Sequence, residues 1–196
     1  PEYPSIDHSL EKEIPEGLTV LKQPIREPYG AYKKFVGKKK DDRINSSFLS
    51  EKKKPGLTER VARFIRGNFF IPDARKNWIK PSIKYLTAYL QENPVDLIIS
   101  TGPPHSMHMI ALGLKRNLGV KWLADFRDPW TGIDFYNELK LTQWADARHH
   151  RLEKEVLQTA DIVSTVGPTL AKELEAIGEA PVEVIYNGFE PVKPAE

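Results

Sequence analysis

The chain has 196 residues, 40% hydrophobic and 29% charged, which is enough to bury one sizeable core. It has no cysteine, which excludes disulfides, thiolate metal sites and a cysteine nucleophile, and fits an intracellular setting. A net charge of +2 argues against a dedicated nucleic-acid binder, and no apolar run reaches the roughly 18 residues that cross a bilayer.

In chain order, "LTVLKQP" (Leu18 to Pro24) reads as a strand. Charge then becomes uneven: between Lys33 and Lys54 nine Lys/Arg stand against three Asp/Glu, a local balance of +6 that leaves −4 for the remainder. With its Gly, Ser and Asn, the stretch 33–57 reads as a basic flexible loop. "TERVARFIRGNFF" (Thr58 to Phe70) is a predicted helix with Val61, Phe64, Ile65 and Phe69 on one side and Arg60, Arg63 and Arg66 around the rest. The basic segment 33–66 is a candidate for peripheral contact with an anionic membrane. A core-packed helix with a solvated basic face is the commoner outcome for so short an apolar stripe, and is the expectation. "ARKNWIKPSIKYLTAYLQEN" (Ala74 to Asn93) is also helical, with Pro81 kinking it or splitting it in two.

From Val95 the alternation is regular. "VDLIIS", "VKWLADF", "DIVSTV" and "VEVIYN" have strand length, and their continuous apolar character predicts strands covered on both faces. Between them, Met107, Ile110, Ala111, Leu114 and Leu118 trace a helix that stops at Gly119. Further helices are predicted over Leu139 to Ala160 and Thr169 to Ile177, the latter ending at Gly178. This order implies right-handed crossovers and an α/β fold, a Rossmann-like parallel sheet with helices on both faces.

Ligands of such sheets bind beyond the carboxyl ends of the strands. That rule selects Ser100, Thr101 and Gly102, then Asp125, Arg127 and Asp128, then Thr165 to Pro168, and finally Asn187 and Gly188. In "STGPPHS", Gly102 would let a ligand approach the backbone, and the following helix N-terminus suits an anion or a sugar hydroxyl. The alternative is a plain helix start that uses Pro early and Ser106 near the cap. In "DFRDPW", three ionisable groups within four positions after a buried strand must be paired or in use. Arg127 offers a fork to carboxylate or phosphate, and Asp125 or Asp128 would orient or deprotonate a hydroxyl. The competing explanation is an Asp–Arg network that locks the loop. His105 and His108, like His149 and His150, lack a third ligand at metal spacing, so no metal is expected, and His105 reads as a hydrogen-bonding ligand contact. Trp122 and Trp130 flank the acidic loop, where either stacks on a sugar ring or packs in the core.

Together, "DLIISTGPPHSMHMIALGLKRNLGVKWLADFRDPW", "ADIVSTVG" and "VEVIYNGFE" resemble the N-terminal domain of family 4 glycosyltransferases of GT-B fold, in particular a bacterial surface-polysaccharide group. "PEYPSID" and "NFFIPDARKNWIKPS" resemble the same group. The resemblance implies an acceptor-side domain facing a donor domain across a cleft, and sugar transfer from a nucleotide-sugar with retention of configuration. It implies no cofactor and no required metal. Partners would be the nucleotide-sugar and a glycan or lipid-linked acceptor, at the cytoplasmic side of the membrane. Catalytic positions would be Asp125, Arg127 and Asp128. Ser100, Thr101, Gly102, His105, Trp130, Asn187 and Gly188 would contact substrate or form the hinge.

Two positions depart from the family pattern. Arg127–Asp128 stands where many members have His–Asp, so a histidine role does not transfer, and "TVGPT" lacks a serine often present there. The family pattern also leads to the expectation that 1–190 is a partial domain without its first two strands. On that expectation 187–196 opens an interdomain linker and the donor domain is absent. Such a fragment would be inactive alone, and the exposed edge of the "VDLIIS" strand would favour self-association. A free-standing binding module and a sugar-nucleotide epimerase-like enzyme are the alternatives.

Overall fold

A computed structural model describes residues 15–25 and 57–188; most of the basic loop 33–57 and the stretch beyond Gly188 lie outside them. Helix α1 spans Leu57–Phe69 and α2 spans Lys76–Glu92. Strand β1 (Leu97–Gly102) leads to α3 (Ser106–Leu118) and β2 (Lys121–Phe126). A 3-10 turn at Tyr136–Leu139 precedes α4 (Gln143–Thr159), β3 (Ile162–Thr165), α5 (Pro168–Gly178) and β4 (Glu183–Val184).

All strand pairs are parallel and the order is β1-β2-β3-β4. The predicted parallel α/β, Rossmann-like sheet is therefore present. Each crossover moves one strand in the same direction. Right-handed connections then set α3, α4 and α5 on one face. Burial agrees: Trp122, Ala124 and Phe126 of β2 and Val163 of β3 are buried with Leu112, Val156, Leu157 and Leu174 of the helices. The intervening residues point the other way. Register aligns Ile99, Leu123 and Ile162 on that second face, where Ile99 is 66% exposed. The expected cover on both faces is thus corrected among the described residues. An apolar run marks a strand, but the crossover direction decides which of its faces a helix reaches.

Local signals explain most boundaries. Gly119 adopts the left-handed conformation (φ 68°) and returns its N–H to the Lys115 carbonyl at 2.8 Å, stopping α3 as expected. For α5 the left-handed residue is Glu179 (φ 58°), while Gly178 stays helical and serves close packing instead: a Cβ there would meet Leu157 at 2.9 Å. Helix α4 starts later than predicted: Lys140 turns left-handed (φ 51°) and Thr142 caps the new start by accepting from the Ala145 N–H. Pro81 lies inside α2 without dividing it. Helix α2 packs on α3 at Gly113, where a Cβ would come within 2.3 Å of Ile83. The strand predicted over 18–24 is absent. Among the described residues they pair with no strand, and the Gln23 carbonyl ties them to α2 by accepting from Trp78 Nε1 at 3.1 Å.

Helix α1 also departs from expectation. It faces the 3-10 turn and α4 with its small polar side, at Gly67 and Asn68. Asn68 donates to the Phe64 and Lys140 carbonyls and accepts from the Thr142 N–H at 2.6 Å. Val61, Phe64, Ile65 and Phe69 are left exposed, Phe69 by 60%.

Candidate functional site

The carboxyl ends of β1, β2 and β3 meet around Asp125. Its carboxylate sits on the uncovered face and accepts from Thr101 Oγ1 and from Ser164 Oγ, both at 2.9 Å. Register made this possible, because Thr101, Asp125 and Ser164 are consecutive partners across three strands. Arg127 leaves the end of β2, donates its backbone N–H to the Gly102 carbonyl at 3.1 Å and its guanidinium to the Pro103 carbonyl at 2.8 Å. The β1 and β2 loops are tied by that pair of bonds. Among the described residues no Asp–Arg ion pair forms in "DFRDPW". Asp128 is exposed, and among the described residues its carboxylate has no partner. This mouth therefore holds one braced carboxylate, one anchored cation with donors to spare, and one solvent-facing carboxylate.

Other candidates lie on the helical side of the sheet. Ser100 is buried, accepting from Trp122 Nε1 and bonding His108 Nδ1, both at 2.8 Å, so it faces the core and not the mouth. Gly102 is also enclosed: a Cβ there would fall 2.5 Å from His108 Nε2. His105 stacks on Trp130 with ring centroids 4.6 Å apart, and Trp130 donates from Nε1 to His149 Nδ1 at 3.0 Å. Trp130 is thereby spent on packing and is not available as a sugar platform. Thr165 bonds the Phe126 carbonyl at 2.6 Å and belongs to the core, whereas Asn187 and Gly188 are exposed beyond β4, away from these contacts.

Burial controls the charge of this inner cluster. It lowers His105 to about 3, with the nearby His108 and His149 adding to the effect, and lowers His108 to about 3 by itself. His149 is lowered for the same reason, against the pull of the Gly67 carbonyl towards the charged form; that contact falls short of a hydrogen bond, as its Nε2 has no partner of normal geometry. The inner histidines are neutral at pH 7.

Three further contributors were not among the residues singled out from the sequence, and two of them had no signal that could have named their partner. Asp73 takes the Ser106 N–H at 2.7 Å and thus occupies the N-terminus of α3 that the motif offered to a ligand. Its local signal, an Asp whose other oxygen accepts from the Arg75 N–H, marks a turn but does not reveal a partner 33 residues away. Glu153, wholly buried on α4, receives the Thr131 hydroxyl and N–H, and its pKa is raised by burial despite those bonds. Ser164 was the readable one, a polar residue inside an apolar strand. Among the described residues no group of three or more His, Cys, Asp or Glu is arranged to hold a metal.

A family model described as Glycosyltransferase Family 4 matches residues 43–193. No curated protein and no solved structure matches the chain significantly.

Proposed function

Since that match spans more than half of its residues, the chain belongs to glycosyltransferase family 4, and from that premise we propose that it forms the acceptor side of a retaining enzyme. The donor is a nucleotide-sugar and the acceptor a glycan or lipid-linked saccharide, in bacterial cell-surface polysaccharide synthesis at the cytoplasmic face of the membrane. One observation carries the reading: at the strand ends the Asp125 carboxylate is braced by Thr101 and Ser164 and the Arg127 guanidinium is anchored on Pro103, with Asp128 exposed next in sequence.

Transfer breaks the bond from the anomeric carbon to a phosphate oxygen and makes one to the acceptor oxygen, whose proton must leave. Negative charge grows on the phosphate, and Arg127, fixed by Pro103 yet exposed, is suited to meet it. Asp128 is suited to accept the hydroxyl proton or orient that hydroxyl. Asp125 is already bonded twice, so it shapes the floor and holds adjacent strands in register. Asn187 and Gly188 take the part of a hinge.

Support for a peripheral membrane contact comes from α1. Its exposed Phe64 lies one turn from the exposed Arg60 and its exposed Phe69 ends the helix, downstream of a segment with a local charge of +6 between Lys33 and Lys54. No described helix is long and apolar enough to cross a membrane.

The test is turnover of the enzyme that contains this chain, with labelled nucleotide-sugars and a lipid-linked acceptor. Arg127→Ala and Asp128→Asn should each lower kcat by about 100-fold or more, as expected for loss of a positioned acid–base or charge-stabilising group. Turnover within twofold of the unaltered enzyme would remove both residues from the chemistry.

A further inference from the structure

Among the described residues Glu153 is the only Asp, Glu, Lys or Arg that is buried, and its exposure is 0%. A carboxylate in a core is costly unless its oxygens are bonded. It lies on the inner face of α4 with Leu152, Val156 and Leu157, where an apolar residue would pack without that cost. What the carboxylate holds is Thr131. Its Oε2 accepts from the Thr131 hydroxyl, and its two oxygens share the Thr131 N–H at 3.3 and 3.4 Å. One turn earlier on the same helix, His149 accepts from Trp130 Nε1 at 3.0 Å. Two consecutive residues of the loop after β2 are therefore gripped by two buried polar side chains of α4.

The other end of that loop is fixed separately. The Arg127 N–H bonds the Gly102 carbonyl and its guanidinium bonds the Pro103 carbonyl. Only Asp128 and Pro129 lie between the two attachments. Proline has a fixed φ and holds the residue before it to extended backbone, so Asp128 keeps little freedom while both ends stay attached. With Thr131 released, the far end would hang on the Trp130 side chain alone. Such fixing matters to chemistry, because a reacting group displaced by about 1 Å loses about 100-fold in rate.

We propose that Glu153 is a positioning residue: through Thr131 it fixes the backbone of the β2 loop and with it the direction in which Asp128 is presented. Wholly buried, it has no access to substrate and acts only through the loop. The consequence for turnover rests on the glycosyl-transfer reading, whereas the fixing of the loop does not.

The test uses Glu153→Leu, which fills the space and removes both acceptors. The double variant Thr131→Val/Glu153→Leu, an apolar pair of similar shape, serves where the single one does not fold. Nitrogen-15 relaxation of the 196-residue chain reads the backbone order of Asp128, Trp130 and Thr131. Order parameters of about 0.85 are expected in the unaltered chain and about 0.6 or lower in the variant, with β2 and α4 unchanged. Equal values in the two chains overturn the proposal. Turnover of the enzyme that contains the chain is then compared in a cycle with Asp128→Asn. Glu153→Leu should lower kcat about tenfold or more by itself, and by less than about twofold once Asp128 has been replaced. Ordinary destabilisation would cost the same in both backgrounds. Where Asp128→Asn is impaired, normal turnover of Glu153→Leu, or equal losses in the two backgrounds, overturns the proposal. Normal turnover of Asp128→Asn itself would sink the role given to Asp128, and the order parameters then decide the fixing of the loop.

Discussion

At Gly102 the nearest atoms to a missing side chain belong to His108 and His105, so the glycine makes room for two buried rings. The same rings set the acid stability of the domain. Burial holds His105 and His108 at about 3, against the ordinary imidazole value of 6.5. Between those values the unfolded chain binds more protons than the folded one, so stability rises with pH across that window. Glu153 acts in the opposite sense. Its raised pKa makes the folded chain hold the proton more tightly, and that contribution is lost as pH rises through the folded value. Two fully shifted histidines, with His149 lowered in addition, outweigh one carboxylate. The melting temperature should be flat above neutrality and fall as pH drops from about 6.5 towards 4.5. His105→Phe, which keeps a ring against Trp130, should flatten that fall. Identical slopes in the two proteins would show that His105 does not carry it.

Among the elements, α1 and α4 show how one helix pattern serves two ends. Helix α4 turns Ala145, His149, Leu152, Glu153 and Val156 inward, and two of these are polar because they hold Trp130 and Thr131 of the acidic loop. Helix α1 does the reverse, docking by Gly67 and Asn68 and presenting its apolar residues to solvent. Exposed apolar side chains next to cations predict adsorption to an anionic bilayer. The chain should co-sediment with phosphatidylglycerol vesicles and not with phosphatidylcholine ones, and added salt should weaken the binding. Replacing both Phe64 and Phe69 by Ser should cut the partition at least about tenfold, since each buried Phe is worth about 1.5–3 kcal/mol. Equal partition of the variant would assign the exposed stripe to something other than lipid.

At the scale of the whole molecule the decisive feature is a sheet that, among the described residues, carries helices on one face. Among the described residues β1 is an edge strand, with Leu97 and Ile99 exposed beside its unpaired backbone. Such an edge is a template for another strand. Sedimentation velocity should therefore show concentration-dependent association of the chain, and Ile99→Lys, a charge on the exposed face, should reduce it without lowering the melting temperature by more than a few degrees. A monomer at every concentration would mean that the edge is protected.

The existence, type and sequence of strands β1 to β4 and of every helix from α1 to α5 were legible in the chain, because period and caps are local properties. So were the carboxyl ends of β1 to β3, where the strand-end rule looks for a ligand. The strand predicted over 18–24 failed because β propensity needs a neighbouring ladder, which local sequence does not specify. Only the tertiary structure decided which side of each residue matters. It turned Ser100 into the core and Thr101 out to Asp125, one residue apart on a pleated strand. It brought Asp73 onto the N-terminus of α3 and Gly67 against the 3-10 turn and its following residues, contacts between segments far apart in the chain. Hydrophobic period states that a face will be buried; the direction of the crossovers decides which face that is.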